Sequence, residues 1–322
     1  MALTLHSSVS PFSSPPTTTH PNFTTVPPTS WKRLNISGLL VTIYGLDEIQ
    51  PTNPTTCLWL LHGRGDTQDS MSHIAADFIH TWNNHTRKTS HQNLICATLD
   101  QRNHGSRLID NLANLSWKQG NPTHAQDMFG TFMGTASDVS HLIDHLPSYL
   151  PCRVTEWVCC GLSLGGHATW QVLMFEKRVK AGLVIVGCAD YGALMRDRAV
   201  RSRLSSAETN GGEFFGSSDF PPGLVDVVKR RDPAALFFAG NAAEIAREYL
   251  GGKIILCLAG AKDKLVPRKF SENVLGVLAE CSEIRIDSFV DPDAGHQFTD
   301  AMRERAREWL CRLLDDTPRY RM

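Results

Sequence analysis

Six short apolar runs, separated by stretches long enough to be helices, constrain the fold of this chain more than any other feature. They fall at residues 57–61 (CLWLL), 94–99, 156–160 (EWVCC), 183–186, 254–258 and 284–290, and the first three lead directly into His62-Gly63, Asp100 and Gly161. A strand that is apolar along its length must be covered on both faces, and a mostly parallel sheet with helices on either side provides that cover. The intervening segments predict helices over 71–81, 131–145, 165–178, 242–250, 269–280 and 301–314. In the last of these, Met302, Ala306, Trp309, Leu310 and Leu313 recur at the spacing of one helix face. An earlier run, 39–44, reads as an antiparallel strand ending at Gly45. The fold class is therefore α/β, a mostly parallel central sheet with helices on both faces.

Order is expected to begin near Trp31. Residues 1–30 form a tail rich in Ser, Thr and Pro, too poor in apolar surface to order itself. Residues 31–322 then form one domain, interrupted by two long insertions. The first, 103–129, is polar and irregular; the second, 191–240, has GGEFFGSSDFPPG at its centre. Ligands of doubly wound sheets bind beyond the C-terminal strand ends, where either insertion could form a cap, and 191–240 is taken as the lid. Its Phe214, Phe215 and Phe220 read either as an adjustable apolar surface or as a local packing cluster.

Charge and special residues exclude several functions. With 32 basic and 33 acidic residues the chain lacks the concentrated basic footprint that nucleic acid requires. Most of the nine cysteines lie in or beside apolar runs, where they behave as small hydrophobes, and no regular spacing suggests a disulfide framework. The histidines are scattered, and His73, His80 and His85 lack the flanking ligands of a zinc site. No metal or other cofactor is implied. No apolar run approaches the roughly 18 residues of a membrane span. The N-terminus lacks the basic start and apolar stretch of a signal peptide. Residues 1–46 contain no acid, a weak mark of an organellar segment, and four glycosylation sequons (Asn22, Asn35, Asn84 and Asn114) carry no weight without secretion. A cytoplasmic protein is the default expectation.

The strongest chemical signal is Gly161-Leu162-Ser163-Leu164-Gly165, placed after a strand end and before a helical pattern. A sharp turn there would lift the serine oxygen clear of the sheet, with the glycines giving room for close backbone passage. A hydroxyl becomes a good nucleophile when an imidazole takes its proton, and the imidazole needs a carboxylate to fix its tautomer. His296 (DPDAGHQF) and Asp263 (LAGAKDKLVP) each follow an apolar run and complete the order Ser, Asp, His. Asp190 is the rival acid; Asp293 stands too close to His296 in sequence to be preferred. A third element, Leu61-His62-Gly63-Arg64-Gly65-Asp66, can turn tightly, and the main-chain N–H groups of Arg64 and Leu164 could hold a developing oxyanion. Nothing around these glycines matches a nucleotide-binding fingerprint.

Together LLHGRGD, GLSLGG, GAKDKLVP and AGHQF resemble the oxyanion turn, nucleophile elbow, acid loop and histidine loop of the α/β-hydrolase superfamily. The resemblance covers roughly residues 39–314 and is nearest to the serine esterase and prolyl-oligopeptidase-like (dienelactone-hydrolase-like) branches, with TLDQRNHGSR also similar to a segment common there. It implies Ser163 as nucleophile, His296 as base and then acid, and Asp263 as the group that orients the imidazole. Arg64 departs from the small or apolar residue of many relatives, and its side chain is expected to reach solvent rather than a substrate acid. Gln101, Arg102, Asn103 and His104 read as pocket lining or, preferably, as a network bracing the oxyanion turn.

The function expected is hydrolysis of a small or medium carboxylic ester through an acyl-enzyme. A thioesterase, an acyltransferase or a peptidase/amidase would use the same residues. No gating domain precedes the catalytic region, which disfavours a protease of large proteins. A catalytically silent binding or scaffold protein with this fold is the alternative from another class. The partner is a small-molecule ester or thioester; oligomeric state is not indicated.

Overall fold

A computed structural model describes residues 26–86, 88–208 and 213–316. Most of the expected N-terminal tail, 1–25, lies outside the described residues, as do 209–212 of the second insertion.

The chain opens with strands β1 (Trp31–Ile36) and β2 (Leu39–Tyr44), an antiparallel hairpin. Its turn is Ser37-Gly38, both at positive φ (53° and 84°), the combination that matches the twist of two paired strands. β1 has no apolar run and lies mostly exposed at the sheet edge, so the sequence pattern does not mark it. Strand β3 (Thr55–Leu61), helix α1 (Ser72–Asn83) and strand β4 (Asn93–Leu99) follow. Both strands are buried at every residue, as their continuous apolar runs require.

Between β4 and helix α2 (His124–His145) the chain makes three short 3-10 turns. α2 begins earlier than the expected residue 131. Its first turns read as polar, yet His124, Ala125, Met128 and Phe129 are all buried there. Strand β5 (Val154–Leu162), helix α3 (Leu164–Phe175) and strand β6 (Val179–Ile185) come next. The second insertion holds helices α4 (Tyr191–Arg201), α5 (Pro222–Arg231) and α6 (Pro233–Phe237). The chain closes with α7 (Ala242–Leu250), β7 (Ile254–Gly260), α8 (Lys269–Glu280), β8 (Arg285–Asp291) and α9 (Asp300–Asp316). Helices α7 and α8 fall on the residues that their periodicity predicts.

The eight strands form one sheet in the order β1-β2-β4-β3-β5-β6-β7-β8, parallel from β4 to β8 and antiparallel at β1 and β2. The α/β class expected from the apolar runs is therefore the class observed. Helices α2, α3, α7 and α8 contribute to the core on one face, and α1 and α9 to that on the other. Asp77 of α1 ties the second pair together by accepting from Arg303 and Arg307 of α9. From β3 the chain moves outward to β4 and then returns to β5 on the other side. That reversal opens a crevice at the C-terminal strand ends, between β3 and β5. Register pairs Leu61 with Gly161, so the turn after β3 and the turn after β5 lie side by side.

All nine cysteines are free thiols, eight of them buried. Among the described residues no helix is long and apolar enough to cross a membrane, and no group of three or more metal-ligating side chains occurs.

Candidate active site

Ser163 occupies the junction of β5 and α3 with φ 56° and ψ −110°, a backbone conformation that L-residues rarely adopt. Its N–H donates to the Ile185 carbonyl at 2.8 Å and its carbonyl accepts from His167 N–H at 3.1 Å, which fixes the turn from both sides. The flanking glycines are required by contact. A Cβ on Gly161 would lie 2.0 Å from the Gly165 carbonyl oxygen, and one on Gly165 would lie 2.0 Å from that of Leu61. Both obstacles are backbone and cannot swing aside.

β7 and β8 deliver the other two side chains to the same sheet edge. Asp263 follows β7, and its Oδ1 accepts the N–H groups of Leu265 (2.8 Å) and Val266 (2.9 Å). Oδ2 is then turned towards His296, whose Nδ1 donates to it at 2.7 Å. With that proton on Nδ1, Nε2 is an acceptor, and Ser163 Oγ donates to it at 2.8 Å. The acid and histidine loops are tied by Lys262 N–H on the Ala294 carbonyl at 2.9 Å. Burial alone would raise the Asp263 carboxyl; the bond and charge of His296 and the two loop N–H groups outweigh it and hold the carboxyl below its ordinary value. The structure thus joins Ser163, His296 and Asp263 in one hydrogen-bonded line. Asp190, the rival acid, instead caps α4 by accepting from Ala193 N–H at 2.8 Å, and Asp293 pairs with Lys262 in solvent.

Leu164 is the first residue of α3, so its N–H stands outside the helical ladder, next to the nucleophile. Arg64 sits in the turn beyond β3. The carbonyl of His62 joins the two turns, accepting from Gly165 N–H at 3.1 Å and from the side-chain amide of Gln101. Gln101 N–H in turn donates to His62 Nε2 at 3.0 Å.

No protein-family model matches this chain, and no curated protein matches it. Solved structures do. TT1662 from Thermus thermophilus superposes with a TM-score of 0.61 at 19% identity, over 89% of this chain and 98% of that one. The Pyrococcus furiosus esterase Pf2001 gives 0.51 at 13% identity, over 90% of each chain. The Pyrococcus horikoshii acylaminoacyl peptidase gives 0.54 at 12% identity, over 91% of this chain but only 42% of that one. The chain has the α/β-hydrolase fold.

The segment after β4 is held in place by contacts of its own. Arg102 binds Asp138 of α2 through two bonds of 3.1 and 2.9 Å. Asn103, at φ 58°, accepts from the N–H groups of Ile109 and Asp110 and so closes its own loop. The His104 ring meets that of His62 edge-on, centroids 5.4 Å apart. The phenylalanines of the second insertion form a packing cluster: Phe214 and Phe220 are buried, and Trp117 of the first insertion meets Phe214 edge-on at 6.1 Å.

Two features differ from expectation. The Arg64 side chain turns inward instead of reaching solvent: it is half-buried, and desolvation lowers its basicity. Sequence reasoning also passed over His124, His167 and Arg198, three buried basic side chains close to the Asp263 loop and α3. No local motif marks them, because α2, α3 and α4 bring them together only in the folded chain. A cleft of about 740 Å³ lies elsewhere, between α1 and α9.

Proposed function

We propose that this chain is a serine hydrolase that cleaves a carboxylic ester of a small or medium organic substrate through an acyl-enzyme. The observation that carries the reading is the line from Ser163 Oγ to His296 Nε2 (2.8 Å) and from His296 Nδ1 to Asp263 (2.7 Å). In this reading Ser163 attacks the ester carbonyl as its proton passes to Nε2. The negative oxygen of the tetrahedral intermediate is received by the main-chain N–H groups of Arg64 and Leu164. His296 then protonates the departing alcohol, and the same nitrogen deprotonates the water that releases the acid. Asp263 keeps the imidazole in its working tautomer and stabilises its charged form. Ser163 is only 5% exposed, which favours a small substrate over an extended protein chain. A fold shared with the Pyrococcus furiosus esterase Pf2001 is consistent with this chemistry.

The test is hydrolysis of p-nitrophenyl esters from acetate to palmitate by wild type and Ser163→Ala, with fluorophosphonate labelling of both. Activity and labelling that vanish in the mutant support the reading, and the best chain length sizes the acyl pocket. Equal activity in both proteins overturns the assignment of Ser163. A folded wild-type protein that neither labels nor turns over any ester points to the silent-scaffold alternative.

A further inference from the structure

Helices α2 and α3 leave a cavity of about 230 Å³ between them, closed at one side by the end of α5. Met133, Ala136 and Ser137 of α2 form one wall, and Gln171, Val172 and Phe175 of α3 form the other. A wider depression of about 600 Å³ adjoins it, with Met133, Phe175 and Arg231 bordering both and Arg230 on the outer rim. Gln171 stands eight residues beyond Ser163, about 12 Å along the axis of α3. The cavity is separate from the reacting line, and the hydrolytic steps do not use it.

Three features describe what the cavity is fitted to hold. The first is an acceptor at its inner wall. Gln171 is 2% exposed, and its Nε2 donates to the Arg231 carbonyl at 2.9 Å. That bond fixes the amide, so Oε1 can only accept, and it has no hydrogen-bond partner among the described residues. A buried acceptor without a donor is costly, and an occupant bearing an O–H relieves the cost. The second feature is flat apolar surface. The Arg231 guanidinium lies over the Phe175 ring, 4.4 Å from its centroid, and an aromatic ring can add to such a stack. Met133 offers a polarizable thioether beside it. The third feature is charge at the mouth. Arg230 and Arg231 are exposed, and neither forms an ion pair among the described residues. The carboxylate in the cavity wall, Glu176, is already held by Arg178 at 2.8 Å and Ser140 at 2.5 Å. Cations in the last turn of α5 suit its dipole, but the dipole explains neither the cavity nor the unpartnered oxygen.

We propose that this cavity is a second binding site, for a single-ring aromatic carboxylate with a hydroxyl at its far end. The hydroxyl donates to Gln171 Oε1, the ring packs against Phe175 and Met133, and the carboxylate meets Arg230 and Arg231 at the mouth. A volume below the roughly 300–1,000 Å³ of sites for drug-sized ligands limits the occupant to one ring. The site rests on none of the hydrolytic steps and stands whether or not Ser163 is a nucleophile.

Calorimetric titration of the full-length wild-type protein with 4-hydroxyphenylacetate tests the proposal. Phenylacetate, which lacks the hydroxyl, and 4-hydroxyphenethyl alcohol, which lacks the charge, are the matched probes. The first compound is expected to bind about fivefold or more tightly than either match. Ser137→Trp, at an exposed position of α2, fills the cavity and is expected to abolish binding while p-nitrophenyl ester turnover stays unchanged. Gln171→Met is expected to remove the preference for the hydroxyl and keep that for the carboxylate. The double variant Arg230→Gln/Arg231→Gln is expected to do the reverse, and its exposed positions keep the test valid if Gln171→Met does not fold. Equal affinity for the three compounds, or no binding at millimolar concentration, overturns the site. Binding that survives Ser137→Trp places the ligand elsewhere and overturns it too. A preference for only one of the two groups overturns the assigned ligand class.

Discussion

Replacing Asp263 by asparagine tests the reacting line most sharply, because the surrounding bonds dictate how the amide must sit. Oδ1 accepts two main-chain N–H groups, from Leu265 at 2.8 Å and Val266 at 2.9 Å. Only the amide oxygen can fill that position, so the NH2 group of the new side chain is forced to the Oδ2 position, facing His296 Nδ1. A donor there requires Nδ1 to become an acceptor, and the imidazole proton moves to Nε2, where it points at Ser163 Oγ. The base is then in the wrong tautomer to receive the serine proton. The expected loss in kcat is about 10⁴-fold, equivalent to about 5.5 kcal/mol of barrier. Because both loop bonds survive, unfolding free energy is expected to change by less than about 2 kcal/mol. Asp263→Ala is the larger steric change but imposes no donor on Nδ1, so it is expected to be no more damaging than the asparagine. The assay is p-nitrophenyl butyrate turnover with urea unfolding of each variant. A folded Asp263→Asn protein that loses less than tenfold in kcat refutes the argument.

Three further perturbations probe other parts of the molecule. Gly165→Ala places a Cβ 2.0 Å from the Leu61 carbonyl oxygen and must displace the His62–Gly165 bond; a loss of about 3 kcal/mol or more is expected by denaturant titration, and a variant as stable as wild type contradicts the close approach. Gln101→Ala removes the side-chain amide from the His62 carbonyl and loosens the oxyanion turn; kcat is expected to fall about 10- to 100-fold with little change in KM, and a KM effect alone would mean that Gln101 lines the pocket instead. The last concerns pH. Burial lowers His62, His104, His124 and His167, to about 4 at His104 and about 3 at His167. Between those values and about 6.5 the unfolded chain binds protons that the folded chain refuses, so stability falls as pH falls. Asp232, pushed up to about 8 by burial, holds a proton only when folded and acts in the opposite sense. The net is three protons at most, so the urea-derived stability is expected to drop by up to about 4 kcal/mol per pH unit between pH 6 and 5. A slope of one proton or less contradicts it.

What the sequence made legible follows physical lines. The buried parallel strands announced themselves because residues covered on both faces must be apolar throughout, as in β3 and β4. β1 did not, because an exposed edge strand needs no such run. The start of α2 stayed hidden because His124 is a polar residue buried by distant partners, and burial of that kind leaves no periodic trace. The residues of the reacting line were readable from local motifs, since each sits in a short loop whose composition the turn itself demands. Arg198 was not: YGALMRDRAVRSR contains several arginines, and only the packing of α4 against the Leu265 loop distinguishes one of them. The sequence singles out Arg64 for its backbone N–H, but the inward turn of its side chain depends on distant packing that the turn after β3 cannot foretell.

The molecule concentrates its unfavourable features at one edge of the sheet. Ser163 and Val186 both hold positive φ there, at the C-terminal ends of β5 and β6, and a β-branched residue adopts such a conformation only when its surroundings impose it. Val186 is kept in place by its N–H on the Leu258 carbonyl at 2.8 Å, and Ser163 by Ile185 at the same distance. The buried Arg198 and histidines lie at that same edge, while Asp138 is paired with Arg102 and Arg107, Glu176 with Arg178, and Asp77 with Arg303 and Arg307. A sequence optimised only for stability would not gather backbone strain in one place, since ordinary substitutions would relieve it. Strain of this kind beside Ser163 argues that this edge is shaped by what it binds.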